Sequence, residues 1–97
     1  MLDQLKQLME AKRQAEQLKK QLESSDIEIN DVKGIKLVIN GTQSLKFLEL
    51  DDELLHAENK KKLEADLLRA FNVAVAKSQV MAAQKMKALT GLNIPGL

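Results

Sequence analysis

Basic side chains on the first predicted helix are the residues whose spacing could support binding chemistry. Lys6, Arg13 and Lys20 recur every seven residues and therefore share one face of an α-helix, while Lys12 and Lys19 flank its apolar seam. Such a face can contact the phosphates of a polyanion, or it can keep a helix soluble while nearby glutamates pair with it locally. The residues alone leave both interpretations open.

No other group of residues forms a pattern typical of catalysis. His56 is the only histidine and the chain has no cysteine, which argues against a His/Cys metal site or a thiol nucleophile. The serines lack a motif that would place a base beside them, and no glycine-rich phosphate loop is present. Asp51, Asp52 and Glu53 are typical of the start of a helical turn. We therefore expect no enzymatic activity, no metal, no cofactor and no small-molecule substrate.

The charges are segregated along the chain although the formal net charge is only +1. Residues 1–22 carry five basic and three acidic side chains, and residues 67–97 carry four basic and no acidic ones. The segment between them, residues 23–66, has six basic and eleven acidic side chains. Basic character is thus predicted for the two terminal helices and acidic character for the region between them.

Length and composition predict one small domain spanning residues 1–97. With two Phe, no Trp or Tyr and no Cys, its core must be thin and has no disulfide, so oligomerisation is the expected source of extra stability. Charge from the third residue onward, and the absence of eighteen consecutive apolar residues, predict a protein with no signal peptide and no membrane segment. We expect a cytoplasmic location.

Apolar periodicity predicts a helix over residues 1–22, a three-stranded meander over 26–50 and helical structure over 52–90. The Asn40-Gly41 pair predicts the tip of a hairpin, and residues 91–97 are expected to form a flexible tail. The third strand is ambiguous, because Leu45 and Phe47 select one face whereas Leu48 and Leu50 select the other. A bulge near Ser44, or a sheet whose second face is partly covered, would explain this.

The long C-terminal helix, predicted over residues 63–89, is apolar over about 160° of its circumference, against ~100° for an ordinary surface helix. One helix and a few strands offer too little surface to cover it, so the chain is expected to form a homodimer. The expected interface residues are Leu67, Phe71, Ala74, Val75 and Met81.

Several ordered segments resemble the YbaB/EbfC family of bacterial nucleoid-associated proteins. They are the Lys- and Gln-rich first helix, GIKLVING over residues 34–41, the acidic turn with Glu53-Leu54-Leu55, the long helix with Asn72 and Lys77, and LTGLNIPGL over residues 89–97. Asp52 departs from the family pattern, where proline is common. The resemblance implies an α+β protomer in the order α-β-β-β-α, a tweezer-like homodimer, location in the nucleoid, and binding of double-stranded DNA with low or broad sequence preference.

The basic helix faces and this resemblance together predict which residues contact DNA. The candidates are Lys6, Lys12, Arg13, Lys19 and Lys20, with Lys85 and Lys87 in second rank. The absence of Trp and Tyr disfavours base stacking, and no helix-turn-helix spacing is visible. An alternative is a protein-binding clamp similar to prefoldin-like chaperones, whose apolar contacts would be Leu2, Met9, Leu92, Ile94 and Leu97.

Overall fold

The computed structural model describes residues 2–90, except for the side chains of Leu89 and Thr90, and it confirms the predicted α+β order. Helix α1 spans Leu2–Ser24 and helix α2 spans Lys60–Thr90. Between them lie strands β1 (Asp26–Ile29), β2 (Ile35–Asn40) and β3 (Leu45–Leu50), followed by two 3-10 turns, Asp52–Leu54 and Ala57–Asn59. The tail predicted over residues 91–97 lies outside the described residues.

Both helices are slightly longer than the sequence predicts. Helix α1 continues to Ser24 because the hydroxyls of Ser24 and Ser25 donate to the backbone carbonyl of Gln21, at 3.2 and 2.5 Å. These serines satisfy a carbonyl that the helix end would otherwise leave without a partner. Helix α2 begins at Lys60, three residues before Leu63, because the lysines that precede Leu63 are themselves good helix formers.

The three strands form one antiparallel sheet in the order β1-β2-β3. Strand β2 lies at its centre, and its alternating residues Ile35, Leu37 and Ile39 are buried. They form the core together with small residues of α2, chiefly Ala70 and Ala74. Small side chains let the backbone of α2 approach the sheet closely, which explains how such an aromatic-poor chain builds a core.

A bulge in β3 accounts for the ambiguous phase of that strand. Val38 pairs with Phe47 but the next residue, Ile39, pairs with Leu45, so Lys46 is an additional residue on β3. The bulge lies two residues beyond Ser44, where the sequence suggested it. Leu45, which pairs with Ile39, and Leu48, which pairs with Leu37, therefore share the face that packs toward α2.

The protomer is elongated rather than spherical. Its radius of gyration is 18.5 Å and its principal extents are 67 × 25 × 16 Å, whereas a compact domain of this length has a radius of gyration of ~12.5 Å. Helix α1 has no buried residue, and only Leu18 and Leu22, near its C-terminal end, are half-buried. Helix α1 thus forms an arm attached by one end, which we call the α1 arm.

Candidate nucleic-acid interface

The predicted cations of the α1 arm are all exposed to solvent. Lys6, Lys12, Lys19 and Lys20 form no ion pair with any of the residues that the structure describes. The exception is Arg13. Four unneutralised ammonium groups are therefore distributed along a helix that contributes nothing to the buried core.

Arg13 is held by a neighbouring acid on the same helix. Its guanidinium donates to the Glu10 carboxylate at 2.6 Å, and this hydrogen bond, with the charge attraction that accompanies it, raises the pKa of Arg13. Both side chains are at least half exposed. An exposed pair of this kind adds little stability, so a phosphate can replace Glu10 as the partner of Arg13 at little cost.

Six of the eight basic side chains between residues 33 and 77 are paired within the protomer, and within the described residues Lys33 and Lys61 are the two that form no ion pair. Glu28 accepts hydrogen bonds from the Asn30 amide and from Lys36, and these lower the pKa of Glu28. The pairs are Lys36–Glu28 at 3.2 Å, Lys46–Asp26 at 2.9 Å, Lys77–Asp31 at 3.0 Å, Lys62–Asp66 at 3.2 Å, Arg69–Asp66 at 3.3 Å and Lys60–Glu64 at 3.8 Å. The positive charge of this region is thus largely neutralised, in contrast to that of the α1 arm.

The second-rank candidates lie near the far end of α2. Lys85 is half-buried and Lys87 is exposed, and within the described chain neither forms an ion pair. The C-terminal end of α1 meets α2 near Ser78, and the two helices contact each other. At ~1.5 Å per residue, Lys85 lies ~10 Å farther along α2 than Ser78.

The predicted interface residues occupy three different environments. Leu67, Phe71 and Met81 are half-buried and Val75 is exposed, but Ala74 is fully covered by the protomer's own sheet. Residues that sequence reasoning did not single out extend this surface: Leu68 is 64% exposed, and Leu45 and Leu48 are about half exposed. Leu45, Leu48 and Phe71 line one open cavity of about 290 Å³. We call Leu45, Leu48, Leu68, Phe71 and Val75 the apolar strip.

The acidic turn after β3 behaves as a helix start. The Asp51 backbone carbonyl accepts from the Leu54 amide at 3.0 Å, while the Asp51 side chain makes no capping bond. Within residues 2–90, no cluster of three or more His, Cys, Asp or Glu side chains could hold a metal ion. Neither α1 nor α2 is long and apolar enough, over its described residues, to cross a membrane.

Comparison with known proteins gives a consistent result. The chain is 30% identical over 95 residues to a nucleoid-associated protein from Clostridium kluyveri, covering 96% of this chain and 83% of the relative. It is 34% identical over 96 residues to one from Prochlorococcus marinus, covering 95% and 82% of the two chains. A nucleoid-associated protein from Syntrophobacter fumaroxidans is 39% identical over 64 residues, a match that covers 65% of this chain but only 58% of that longer relative.

The profile of the YbaB/EbfC DNA-binding family matches residues 1–93, which include every element described above and all the candidate cations. The resemblance drawn from the sequence is thereby confirmed. The chain belongs to the YbaB/EbfC DNA-binding family.

Proposed function

We propose that the chain binds duplex DNA as a homodimer, mainly through phosphate contacts and with low or broad sequence preference. It would act on nucleoid organisation or gene expression, in the cytoplasm and at the nucleoid. Membership of a DNA-binding family supports DNA as the partner, and the relatives' name, nucleoid-associated protein, supports the location. We propose no catalytic step.

The observation that carries this proposal is the different pairing of cations in the two parts of the protomer. Six of the eight basic side chains between residues 33 and 77 lie within 4 Å of a carboxylate, whereas of the five in the α1 arm only Arg13 does. A cation without an internal partner can neutralise a phosphate without first breaking an ion pair. Each such contact releases condensed counterions from DNA, which favours binding.

Phosphate contact rather than base recognition fits the side chains available. The chain has no Trp or Tyr to stack on bases, and its two helices are separated by a sheet rather than joined by the short turn of a helix-turn-helix. Lysine is a flexible point charge and reads phosphate position rather than base edges. Affinity should therefore fall steeply with salt and depend little on sequence.

A homodimer is favoured by the surface that the protomer leaves uncovered. The protomer exposes 7434 Å², about a third more than the ~5500 Å² that size scaling gives for a compact monomer of 10.8 kDa. The apolar strip has members on both β3 and α2, of which Leu45, Leu48 and Phe71 line one cavity, and a standard interface buries ~800 Å² on each partner. A twofold axis through this patch would double the number of cations offered to one duplex.

The test is a series of gel shifts on unrelated duplexes at increasing salt. The triple variant Lys6→Gln, Arg13→Gln, Lys20→Gln should weaken binding at least tenfold and flatten the salt dependence, because phosphate contacts are lost. The matched control is Lys36→Gln, Lys46→Gln, Lys77→Gln, which removes the same charge from cations that are already paired. Equal loss in the two triple variants would overturn the assignment of the interface to the α1 arm.

A second candidate function, the protein-binding clamp, is favoured by the large apolar side chains of the α1 arm. Leu8 is 71% exposed and Met9 is 64% exposed, and Leu2 and Leu5 are exposed as well. The other predicted clamp residues, Leu92, Ile94 and Leu97, lie outside the described residues. Binding of an unfolded protein client that persists at high salt and is abolished by Leu2→Ser with Met9→Ser would favour the clamp over DNA binding.

A further inference from the structure

The C-terminal end of α1 is capped by the end of strand β2. Asn40 is 5% exposed, and its side-chain Nδ2 donates to the backbone carbonyl of Glu23 at 3.2 Å. The next residue, Gly41, donates its backbone N–H to the carbonyl of Leu22 at 2.9 Å. The last carbonyls of a helix need partners from outside its own ladder. For α1, two of those partners come from residues seventeen and nineteen positions further along the chain.

The orientation of the Asn40 amide is determined by the hairpin that follows it. Its Oδ1 accepts from the Thr42 backbone N–H at 3.0 Å, the Thr42 hydroxyl at 2.8 Å and the Ser44 backbone N–H at 3.0 Å. Backbone N–H groups only donate, so the atom facing them must be the oxygen, and Nδ2 must face Glu23. Rotating this side chain would break bonds on both sides.

The same point of β2 is also fixed to α2 and pressed against α1. The Ser78 hydroxyl, on a residue that is 0% exposed, donates to the Asn40 backbone carbonyl at 2.7 Å. A Cβ added at Gly41 would lie 2.8 Å from Leu22 Cδ2 and 3.1 Å from Leu22 Cα, so only glycine fits. Helix α1, strand β2 and helix α2 thus meet at one closely packed junction, which we call the Asn40 junction.

The direction of the α1 arm depends on this junction and on the contact of its C-terminal end with α2, because the rest of the arm is exposed. Lys6 lies sixteen residues before Leu22, and none of the intervening residues is buried. At ~1.5 Å per residue this is a lever of ~24 Å, so a rotation of about 10° moves Lys6 by ~4 Å. Phosphates of one DNA strand are spaced by ~3.4 Å along the helix axis. A small change at the junction therefore moves the cation by more than one phosphate step.

We infer that Asn40 is a positioning residue: its amide fixes the direction in which the α1 arm presents its cations, and thereby sets the affinity for DNA. The effect of Asn40 on DNA affinity rests on the proposed function. Asn40→Asp tests it, because the substitution keeps the size and the acceptor oxygen that serves the hairpin. It replaces the donor facing the Glu23 carbonyl with an anionic oxygen, which is repelled by that carbonyl and by the negative end of the helix dipole.

Two introduced spin labels can report the direction of the arm in the full chain, because the chain has no cysteine of its own. The labels replace Gln7 on the arm and Glu49 on β3 as Gln7→Cys and Glu49→Cys, both at exposed positions. Labelled chain is diluted tenfold with unlabelled chain, so that distances within one chain dominate. Without DNA, Asn40→Asp should at least double the width of the distance distribution. DNA affinity should fall at least fivefold.

Two further variants make the result decisive. Ile29→Val removes a methylene group from the buried core away from the junction, and it should leave both the distance distribution and DNA affinity within twofold of the unsubstituted chain. If circular dichroism shows Asn40→Asp to be unfolded, Ser78→Ala takes its place and should widen the distribution measurably. An unchanged width in the folded junction variant, or a widened distribution with unchanged DNA affinity, would overturn the inference. Intact DNA binding in the triple Gln variant would overturn the assignment of the contacts to the α1 arm, whereas no binding of duplex DNA by the unsubstituted chain would overturn the proposed function.

Discussion

The Ser78 hydroxyl donates a 2.7 Å hydrogen bond to the backbone carbonyl oxygen of Asn40, and Ser78 is fully buried. Ser78 continues the row of small residues, Ala70 and Ala74, that faces the sheet at four-residue intervals along α2. The row allows close packing at two positions and adds a specific polar contact at the third. It therefore fixes the position of α2 along β2 as well as its distance from the sheet.

Ser78→Ala should destabilise the fold by about 1 kcal/mol, the usual net contribution of one buried hydrogen bond. The loss should not be larger, because the Asn40 carbonyl also accepts from the Gln43 backbone N–H at 3.1 Å and is not left without a partner. Chemical denaturation measures the change. Ser24→Ala is the matched control: it removes an exposed hydroxyl whose acceptor, the Gln21 carbonyl, keeps its bond from Ser25, and should change stability by less than about 0.5 kcal/mol.

Gly41→Ala should destabilise the protein by about 1–3 kcal/mol, the typical cost of overpacking. The added methyl group would meet both the side chain and the backbone Cα of Leu22, so relief requires movement of α1 and not only a change of rotamer. Thermal unfolding followed by circular dichroism measures the loss. The control Gln7→Ala introduces alanine at an exposed position of α1, away from Gly41, and should leave stability unchanged or slightly raised. A Gly41→Ala protein as stable as the Gln7→Ala protein would contradict the close approach.

Gln43→Gly should stabilise the fold. Gln43 has a φ of 65°, a left-handed conformation that costs a side-chain-bearing residue about 1–2 kcal/mol and glycine almost nothing. Glycine also makes the unfolded chain more flexible, which offsets about 0.5–1 kcal/mol of this gain. The expected net gain is about 0.5 kcal/mol, measured by chemical denaturation. A loss of stability would mean that contacts of the Gln43 side chain stabilise the hairpin by more than the left-handed conformation costs.

Local patterns were sufficient to predict the order of the elements but not the contacts between distant ones. The alternation in Ile35, Leu37 and Ile39 predicted β2 because burial on one face of a strand repeats every two residues. Asn40-Gly41 was correctly predicted as a hairpin position. That Gly41 also gives room for Leu22, nineteen residues earlier, is a tertiary contact that no local pattern encodes.

The same limit applies to the candidate site. The seven-residue spacing of Lys6, Arg13 and Lys20 predicted one shared face, since helical geometry depends only on spacing. Whether a lysine is paired depends on which acid the fold brings near it: Lys77 meets Asp31, forty-six residues away, whereas Lys20 meets none among the described residues. Likewise Leu45 and Leu48 are exposed because α2 packs mainly over β1 and β2, which their own sequence does not encode.

Val75→Asp provides the sharpest test of the proposed homodimer. Val75 lies in the apolar strip but does not pack against the protomer's own core, so its replacement should act on association and not on folding of the protomer. An unpaired charge buried in an interface costs ~3 kcal/mol or more, which is at least a hundredfold in the dissociation constant. Light scattering and sedimentation measure the loss of dimer mass.

Val80→Asp is the matched control for that substitution. Val80 is also an exposed valine of α2, but at ~100° per residue it lies about 140° around the helix from Val75. It should leave the dimer intact, while Val75→Asp gives a folded monomer whose affinity for DNA falls because only one α1 arm can engage the duplex. A Val75→Asp protein that remains dimeric, or a Val80→Asp protein that dissociates, would place the interface on a different face of α2. The relative placement of the two α1 arms, and of their cations, would then follow from an interface on that other face.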